Sequence, residues 1–319
     1  MTPRIAVVGA TGYVGSELCR WLLEHPQFEL AAVTSHTHAG KHLGEVVPGL
    51  FGLTDLILEP FDPRELSAFD AVLLATPHGI SAEYVPALEA AHVPRILELS
   101  SDHRTDPAWV YGLAEWNESA LLGATRIAVP GCFATAVQLA VAPFVAADAV
   151  QGPICIAAAT GSTGSGAAPV AGTHHPERFV NFKAYKVFTH QHLKEMHAFL
   201  GILGTAPQLH FVPLSAPLDR GIFATVFIPT DERTDPNGLL RAAYADRPLI
   251  RFREDSPELR HVRGTAFADI SVHREGAMTT VLVAIDNLGK GAAAQAIQCL
   301  NLSFRLPADT GLRRAPCTP

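Results

Sequence analysis

The first half of the chain alternates between two apolar patterns, short continuous runs and longer segments with apolar residues three or four positions apart. The first pattern predicts buried β-strands and the second predicts helices. The predicted strands cover residues 4–8, 29–34, 71–75, 95–99 and 126–129, and the predicted helices cover residues 15–24, 81–91 and 132–147. Strands that alternate with helices are typical of a parallel sheet covered by helices on both faces.

The pattern changes after about residue 150. Five strand-like runs follow, with few helical windows between them, at residues 154–159, 209–212, 222–228, 267–272 and 279–285. This order predicts an α+β domain with a largely antiparallel sheet. A last helical segment covers residues 292–301, and we expect it to pack on the first domain. The predicted domains are therefore residues 1–150, completed by a C-terminal helix within 290–319, and residues 151–289.

Composition narrows the class of protein. Hydrophobic residues make up 48% of the 319 residues and charged residues 17%, as in a packed globular protein, and the net charge is −7. This acidic balance without a basic block argues against a nucleic-acid partner. No apolar run approaches the ~18 residues of a membrane span, and a predicted strand stands where a signal peptide would lie. We therefore expect a cytoplasmic protein, and five scattered cysteines do not suggest a disulfide framework.

Three glycines follow the first predicted strand with the spacing G-x-x-G-x-x-G. Glycine permits a tight turn and a close approach of the backbone to a diphosphate, and the next helix offers N–H groups and the positive end of its dipole. This arrangement predicts a Rossmann-like dinucleotide-binding domain, with a tight structural turn as the alternative. The residues expected to contact the cofactor are Gly9, Thr11, Gly12, Tyr13, Val14 and Gly15.

The end of the second predicted strand indicates which dinucleotide binds. NAD-binding domains of this type carry a carboxylate there, which bonds the ribose 2′-hydroxyl. This chain has Ser35 and His36 at that place, and Lys41 soon after. A carboxylate would repel a 2′-phosphate, whereas hydroxyl, imidazole and ammonium groups can bind one. The sequence therefore favours NADP over NAD.

Cys132 follows the fifth predicted strand and a Pro-Gly turn, at the start of a helix. The N–H groups and dipole at a helix N-terminus stabilise a thiolate, which is the nucleophilic form of cysteine. A small buried residue filling a turn is the alternative interpretation. The other four cysteines are interpreted as packing or incidental residues: Cys19, Cys155, Cys299 and Cys317. A nicotinamide-binding fold with an activated cysteine suggests aldehyde or acyl phosphate chemistry through a thioester.

The segment around this cysteine, Ile-Ala-Val-Pro-Gly-Cys-Phe-Ala-Thr-Ala at residues 127–136, resembles the active-site signature of the N-acetyl-gamma-glutamyl-phosphate reductases. These enzymes of arginine biosynthesis are related to the aspartate-semialdehyde dehydrogenases. The resemblance covers essentially the whole chain, because further segments match in order. It implies a homodimer or homotetramer whose first domain binds the dinucleotide and whose second serves catalysis and dimerisation.

Four further segments carry this resemblance. The loop that contains Pro77 resembles the one beside the cofactor. The segments that end at Arg104 and Glu115 resemble those that line the substrate site. The motif at residues 286–291 resembles the family's closing motif, whose Asn, here Asn287, approaches the nicotinamide.

A His-x-His segment also matches the family, and its first histidine, His190 here, is paired with the catalytic cysteine. The resemblance implies that His190 takes the thiol proton or protonates a developing oxyanion, since imidazole titrates near neutral pH. His192 is a candidate for binding substrate. A metal site formed by His174, His175, His190 and His192 is the weaker alternative, because no cysteine or carboxylate spacing supports it.

The chain departs from the family pattern at three places. His36 replaces an Arg that many relatives carry after the second strand, and Leu-Lys-Glu follows the His-x-His segment where Thr-Pro-Glu is common. The string His-His-Pro-Glu-Arg at residues 174–178 is similar to relatives that act on an acyl phosphate held by an amino-group carrier protein. Ser162 and His175 are further residues expected to bind substrate. The cations expected to meet its carboxylate or phosphate are Arg178, Lys183 and Arg220.

The resemblance thus implies an NADPH-dependent oxidoreductase that converts N-acetyl-gamma-glutamyl phosphate to N-acetylglutamate semialdehyde and inorganic phosphate through a thioester on Cys132. The same chemistry on aspartyl phosphate, or on a carrier-linked glutamyl or aminoadipyl phosphate, is the first alternative. A non-catalytic NADP-sensing protein is the second. The acyl group depends on pocket shape, which the sequence leaves open together with the oligomeric state.

Overall fold

The structure is a computed structural model, and it describes residues 1–316. The chain folds into two compact units. The first unit consists of Met1–Pro130 and Ala292–Arg313, and the second consists of Gly131–Gly291 with the chain from Arg314. The predicted boundary at residue 150 thus differs from the observed one, because the helix that starts at Cys132 packs within the second unit.

Twelve helices and strands precede Cys132. In chain order they are β1 (Arg4–Val8), α1 (Tyr13–Leu23), β2 (Glu29–Thr34), α2 (Leu43–Val46), β3 (Leu58–Glu59), α3 (Pro63–Leu66), β4 (Ala71–Leu74), α4 (Ile80–Ala90), β5 (Ile96–Glu98), β6 (Val110–Tyr111), α5 (Ala114–Leu121) and β7 (Arg126–Ala128).

The chain continues with α6 (Cys132–Ala146), β8 (Ile154–Thr160), α7 (His175–Arg178), β9 (Lys183–Ala184), α8 (His192–Leu203), β10 (Leu209–Ser215), β11 (Ile222–Pro229), α9 (Pro236–Ala243), β12 (Ile250–Phe252), β13 (Ala268–Glu275), β14 (Met278–Ile285) and α10 (Ala294–Ser303). Short 3-10 helices lie at Pro48–Leu50, Ser162–Ser165, Ala171–Thr173 and Leu259–His261, and a π-helical turn covers Gly289–Ala293.

The first unit is built on a seven-stranded sheet with the order β3-β2-β1-β4-β5-β7-β6. All of its strand pairs are parallel, so the predicted Rossmann-like sheet is confirmed. Val8, Val72 and Leu74 of the central strands pack with Val85 and Leu88 of α4 in one buried cluster. The last helix, α10, packs against α1 and α5 and so belongs to this unit.

The second unit is built on another seven-stranded sheet, with the order β12-β13-β14-β11-β8-β10-β9. Two pairs, β12 with β13 and β8 with β10, are parallel, and the other pairs are antiparallel. The predicted largely antiparallel sheet is therefore confirmed. Helix α6 packs on β11 and β14, and its residues from Phe133 to Val145 are all buried, as its continuous apolar sequence requires.

The strands and helices predicted from apolar periodicity are all present, with ends that differ by a few residues. Helix α8 is the largest element that the pattern missed. It buries His192 and Glu195 beside Met196, Phe199 and Leu200, so its buried face is partly polar. Within residues 1–316, no helix is both long and apolar enough to cross a membrane.

Candidate active site

The glycine turn between β1 and α1 requires its glycines for steric reasons. Gly9 has a φ of +81°, and a Cβ there would lie 2.6 Å from the carbonyl oxygen of Ala75. A Cβ at Gly15 would lie 2.1 Å from the carbonyl oxygen of Gly9. Gly12 is the N-cap of α1 and has no side chain that could accept a hydrogen bond from the helix. The N–H groups in the first turn of α1 can therefore bind another acceptor. Thr11, Tyr13 and Val14 complete this turn.

The residues expected to select the cofactor lie beyond the end of β2. The hydroxyl oxygens of Thr11 and Ser35 are 3.2 Å apart, and Ser35 is buried. His36 and Lys41 are exposed. In the loop after β4, Pro77 precedes His78, whose Nδ1 accepts a hydrogen bond from the Ser101 N–H at 3.0 Å.

Arg104 and Glu115, the two predicted substrate residues of the first unit, are buried in bonds to their own unit. Arg104 donates from Nε to the Val129 carbonyl and from Nη2 to the Leu99 carbonyl, each at 2.8 Å. Glu115 accepts from Nε2 of Gln298 on α10 at 2.9 Å. These bonds tie strands and helices of the first unit together.

In the second unit, Cys132 is the first residue of α6 and Gly131 is its N-cap. The cysteine is partly exposed, unlike the buried residues that follow it. The amide and hydroxyl of Thr135 donate to the Gly131 carbonyl at 2.8 and 3.1 Å, which fixes the first turn. A Cβ at Gly291 would lie 2.8 Å from the Cβ of Cys132, so only glycine fits on that side of the cysteine.

His190 lies beside the residue that follows the cysteine. Its ring meets the Phe133 ring edge-on at 5.4 Å and the His192 ring at 4.6 Å, both between centroids. Its Nδ1 accepts the backbone N–H of His192 at 3.2 Å. Burial, together with the positive charge of Lys186, lowers the pKa of His190 to about 4. The two predicted histidines therefore do lie together beside the start of α6.

Tyr185 is a member of this cluster that sequence reasoning missed. Its ring centroid is 6.0 Å from that of His190. Burial and the negative charge of a Cys132 thiolate raise the pKa of Tyr185, so its hydroxyl keeps its proton. Arg178 also acts electrostatically on Tyr185, and its Nη2 donates to the Thr160 carbonyl at 3.0 Å. The cluster thus joins a thiol, an imidazole, a phenol and a guanidinium.

Glu195 is the second residue that was missed. It lies one turn after His192 on α8, is almost fully buried, and accepts the Gly131 N–H at 3.0 Å. Its other carboxylate oxygen is 3.9 Å from Nε2 of His192. Glu195 therefore connects α8 to the backbone directly before Cys132. The sequence places it three positions after His192, but only the packing of α8 on α6 reveals this contact.

Arg220 and Asn287 meet at the end of β14. Nε of Arg220 donates to both carboxylate oxygens of the fully buried Asp286, at 2.8 and 2.6 Å. Oδ1 of Asn287 accepts the Gly221 N–H at 2.7 Å, and its Nδ2 donates to the Thr163 hydroxyl at 3.0 Å. Both predicted side chains are thus held in one orientation by their neighbours.

The other predicted substrate residues of this unit lie around β8 and α7. Ser162 begins a 3-10 helix, and its N–H donates to the Leu218 carbonyl at 2.8 Å. His175 and Lys183 are exposed, and the His175 ring stacks on Phe179 at 5.0 Å. Across residues 1–316, no group of three or more His, Cys, Asp or Glu side chains is placed to hold a metal ion.

Among the cysteines, Cys19 and Cys299 are buried and Cys155 is exposed on β8. Burial raises the pKa of Cys19 to about 12, which makes it a poor nucleophile. The thiol of Cys299 donates to the Gly112 carbonyl. Cys317 lies outside the described residues.

Comparison with known proteins connects both units to one family. A family model described as "Semialdehyde dehydrogenase, NAD binding domain" matches residues 4–124. A second one, described as "Semialdehyde dehydrogenase, dimerisation domain", matches residues 132–287. Aspartate semialdehyde dehydrogenase II of Vibrio cholerae shares the fold with a TM-score of 0.78 and 19% identity, over 96% of this chain and 99% of that one.

Curated relatives are more similar in sequence. The N-acetyl-gamma-glutamyl-phosphate reductase of Salinispora arenicola is 39% identical, over 99% of each chain. The enzyme of the same name from Nitrosococcus oceani is 38% identical, again over 99% of each chain. Such identity along the full length confirms the resemblance drawn from the motifs. The chain belongs to the N-acetyl-gamma-glutamyl-phosphate reductase family.

Proposed function

We propose that this protein reduces N-acetyl-gamma-glutamyl phosphate to N-acetylglutamate semialdehyde with NADPH, releasing inorganic phosphate, as a step of arginine biosynthesis. One observation carries the proposal: a partly exposed thiol stands at the first residue of α6, and the buried ring of His190 meets the ring of the next residue, Phe133. Family membership supplies the reaction that this pair performs. The thiols of Cys19, Cys132, Cys155 and Cys299 suit a reducing compartment such as the cytoplasm.

Cys132 is the nucleophile in this proposal. Its thiolate, stabilised by the N–H groups and dipole of α6, attacks the acyl carbon, and phosphate leaves with the electron pair of the C–O bond. The product is a thioester on Cys132, which divides a difficult reduction into two easier steps. His190 assists at the sulfur or at the oxyanion.

The first unit would hold the cofactor. Its glycine turn leaves room for a diphosphate against the first turn of α1, because Gly12 carries no side chain at the N-cap. When bound, NADPH supplies the hydride that reduces the acyl group. Thr11, Tyr13 and Val14 would bind the diphosphate through the backbone, with Pro77 in the neighbouring loop.

The preference for NADP over NAD rests on Ser35, His36 and Lys41. Residues 30–41 contain no Asp or Glu, and the exposed His36 and Lys41 can meet a 2′-phosphate. This arrangement lacks the planar fork of an arginine, so the phosphate contact would come from separate donors.

Arg178 is the strongest candidate for binding the substrate's negative charge. Burial lowers its pKa, which means that its guanidinium is partly removed from water. Within residues 1–316, no group accepts a hydrogen bond from its buried Nε. An anionic ligand would supply that acceptor in a charge-assisted bond. His192, Ser162, His175 and Arg220, which lie in the same unit, remain secondary candidates for contacting the substrate.

The second unit also presents a surface that suits a homodimer. One face of its central strands is only partly buried. The residues that lie opposite one another on neighbouring strands of this face are Ala157, Ala159, Val212, Leu214, Phe223, Thr225 and Leu282. Helix α6 packs on the same central strands and buries them from the opposite side. A second copy would bury this mostly apolar face, which fits the name of the matching domain family.

A carrier-linked acyl phosphate is the second candidate substrate. Residues 178–194 contain Arg178, Lys183, Lys186 and Lys194 and no carboxylate, although the whole chain has a net charge of −7. Large apolar side chains of the same segment are exposed: Phe179, Val180, Phe182, Val187 and Phe188. A basic and apolar surface of this kind would suit an acidic carrier protein, which supports this second candidate.

The reverse reaction tests both candidates. NADP reduction should require inorganic phosphate and should be fastest with N-acetylglutamate semialdehyde, compared with aspartate semialdehyde and with a carrier-linked semialdehyde. Faster turnover of the carrier-linked form would select the second candidate. No phosphate-dependent NADP reduction with any of the three, together with slow iodoacetamide labelling of Cys132, would instead indicate a non-catalytic NADP-binding protein.

A further inference from the structure

The hydrogen bond at Nδ1 of His190 determines where the ring carries its proton. Nδ1 accepts the backbone N–H of His192 at 3.2 Å. A backbone amide can only donate, so Nδ1 has no hydrogen while this bond is made. A neutral imidazole carries one proton, and it must then be on Nε2. Nε2 of this tautomer is a donor and has no lone pair to receive a proton from a thiol.

Lys186 places a positive charge beside this ring. Its Nζ donates at 3.0 Å to Oε1 of Gln191, the residue after His190 and the N-cap of α8. The first turn of α8 adds the positive end of its dipole. Burial against Phe133 and Phe211 is the main reason why a positive charge on His190 is unfavourable, and the charge of Lys186 adds to this effect.

The backbone that presents Lys186 is unusual. Lys186 and Phe188 have φ values of +44° and +57°, a left-handed conformation that residues with large side chains rarely adopt. Two bonds hold this turn in place: the Phe188 N–H donates to the Phe211 carbonyl, and the Thr189 N–H donates to the Lys186 carbonyl, each at 3.0 Å. Strained backbone of this kind concentrates at functional sites.

We propose that His190 acts as a neutral hydrogen-bond donor through Nε2–H, and that Lys186 is a positioning residue that helps this buried ring to stay uncharged. This inference rests on the proposed function, because it assigns a role in the acylation of Cys132. The low pKa of His190, about 4, agrees with it. The other titratable groups around the ring are Tyr185, whose hydroxyl keeps its proton, and His192, together with Cys132, which directly precedes Phe133.

The chemistry follows from this tautomer. The Cys132 proton leaves to solvent before the substrate is attacked. The thiolate then forms the S–C bond while the carbonyl π electrons move to oxygen, and Nε2–H of His190 donates to that oxyanion. When the carbonyl forms again, the C–O bond to phosphate breaks and phosphate leaves with its electrons. His190 gains and loses no proton in this sequence.

Nitrogen NMR of the histidine-labelled wild-type protein tests the tautomer directly. His190, assigned by comparison with His190→Gln, should be protonated on Nε2 and not on Nδ1 from pH 5.5 to 8. It should become charged only near pH 4. A proton on Nδ1, or a titration close to pH 6.5, would overturn the proposal.

The lysine is tested by a matched pair of variants. Lys186→Met removes the charge and should move the titration midpoint of His190 upward, towards 6.5, whereas Lys186→Arg should keep it low. Lys186 is exposed, so both variants should fold. If the titration midpoint of His190 is unchanged in Lys186→Met, Lys186 does not influence the charge of the ring.

Activity distinguishes a donor from a base. Gln can donate an N–H but cannot accept a proton at neutral pH, so His190→Gln should retain at least ten times the kcat of His190→Ala. Loss of a donor to an oxyanion typically lowers kcat by about 10²–10³-fold. Equal losses in the two variants would contradict the donor role. The NMR measurement does not depend on turnover. If the expected tautomer is found but the protein shows no reductase activity, the proposed function is wrong while the tautomer of His190 stands.

Discussion

At the scale of single residues, Cys132 is better placed to act as a nucleophile than Cys19 or Cys155. Cys132 combines partial exposure with a helix N-terminus, whereas Cys19 is buried with a raised pKa and Cys155 is exposed on a strand. Nucleophilic cysteines need both access and a local field that favours the thiolate. The position of Cys132 meets both needs.

Replacing the sulfur of Cys132 should abolish turnover without affecting the binding of NADP. Cys132→Ser should fold and bind NADP like the wild type, while phosphate-dependent turnover falls by at least about 10³-fold, because a serine hydroxyl at this position is a far weaker nucleophile. Cofactor titration and steady-state kinetics measure the two effects. Cys155→Ser is the control and should retain full activity; turnover retained by Cys132→Ser would remove Cys132 from the mechanism.

His190 should also make stability depend on pH. Its pKa of about 4 in the folded protein lies below the usual 6.5, so the unfolded chain binds the proton more readily. The stability is complete above pH 6.5 and is lost as the pH falls towards 4, by about 3 kcal/mol at most.

Thermal unfolding of wild type and His190→Gln at pH 7.5 and 4.5 measures this effect. The wild type should lose more stability than the variant on acidification, because glutamine does not titrate. Equal losses would show that the imidazole takes up its proton as readily in the folded protein as in the unfolded chain.

At the scale of elements, the glycines of the turn between β1 and α1 serve two purposes: Gly15 is needed for the fold, and Gly12 is needed for binding the cofactor. A Cβ at Gly15 would collide with the Gly9 carbonyl, whereas a Cβ at Gly12 would lie 3.7 Å from the same oxygen, an ordinary contact. Gly15→Ala should therefore lower the melting temperature of the protein without cofactor. Gly12→Ala should leave it within about 1 °C of wild type yet weaken NADP binding, because the methyl group would occupy the space of the diphosphate. A clearly lower melting temperature for Gly12→Ala would contradict the claim that Gly12 serves binding rather than stability.

Apolar periodicity predicted the long elements because burial and pattern agree there: α6 is mostly apolar, and its residues from Phe133 to Val145 are all buried. The elements that it missed include β3, β6 and β9, which are two residues each, and α8, whose buried face includes His192 and Glu195. Short strands depend on their neighbours in the sheet rather than on their own sequence.

The candidate site was predictable where a motif carries its own geometry, as at Cys132 and the glycine turn. Tyr185, Lys186 and Glu195 were not found, because the contacts behind their roles follow no apolar pattern. Tyr185 and Lys186 contact residues five positions later, across a left-handed turn. Glu195 reaches the Gly131 N–H across 64 positions. A sequence pattern does not encode such a contact.

At the scale of the whole molecule, the open face of the second sheet predicts the assembly. Thr225 lies at the centre of this face, between Ala157 and Leu282. Thr225→Arg should convert a dimer to a monomer, because a charge would be buried without a partner. Ile202→Arg, an equally large change on exposed α8, should leave the dimer intact. Light scattering after gel filtration measures both, and a Thr225→Arg protein that stays dimeric would place the interface elsewhere.

Covalent capture of the acyl group by Cys132 is the central claim, and it can be measured without NADPH. Mixing the protein with N-acetyl-gamma-glutamyl phosphate should release one phosphate per chain in a rapid burst. Mass spectrometry should find the N-acetylglutamyl group on the peptide that contains Cys132, and Cys132→Ser should show neither. A wild-type protein that releases no phosphate until NADPH is added, and carries no acyl group on this peptide, would contradict the account.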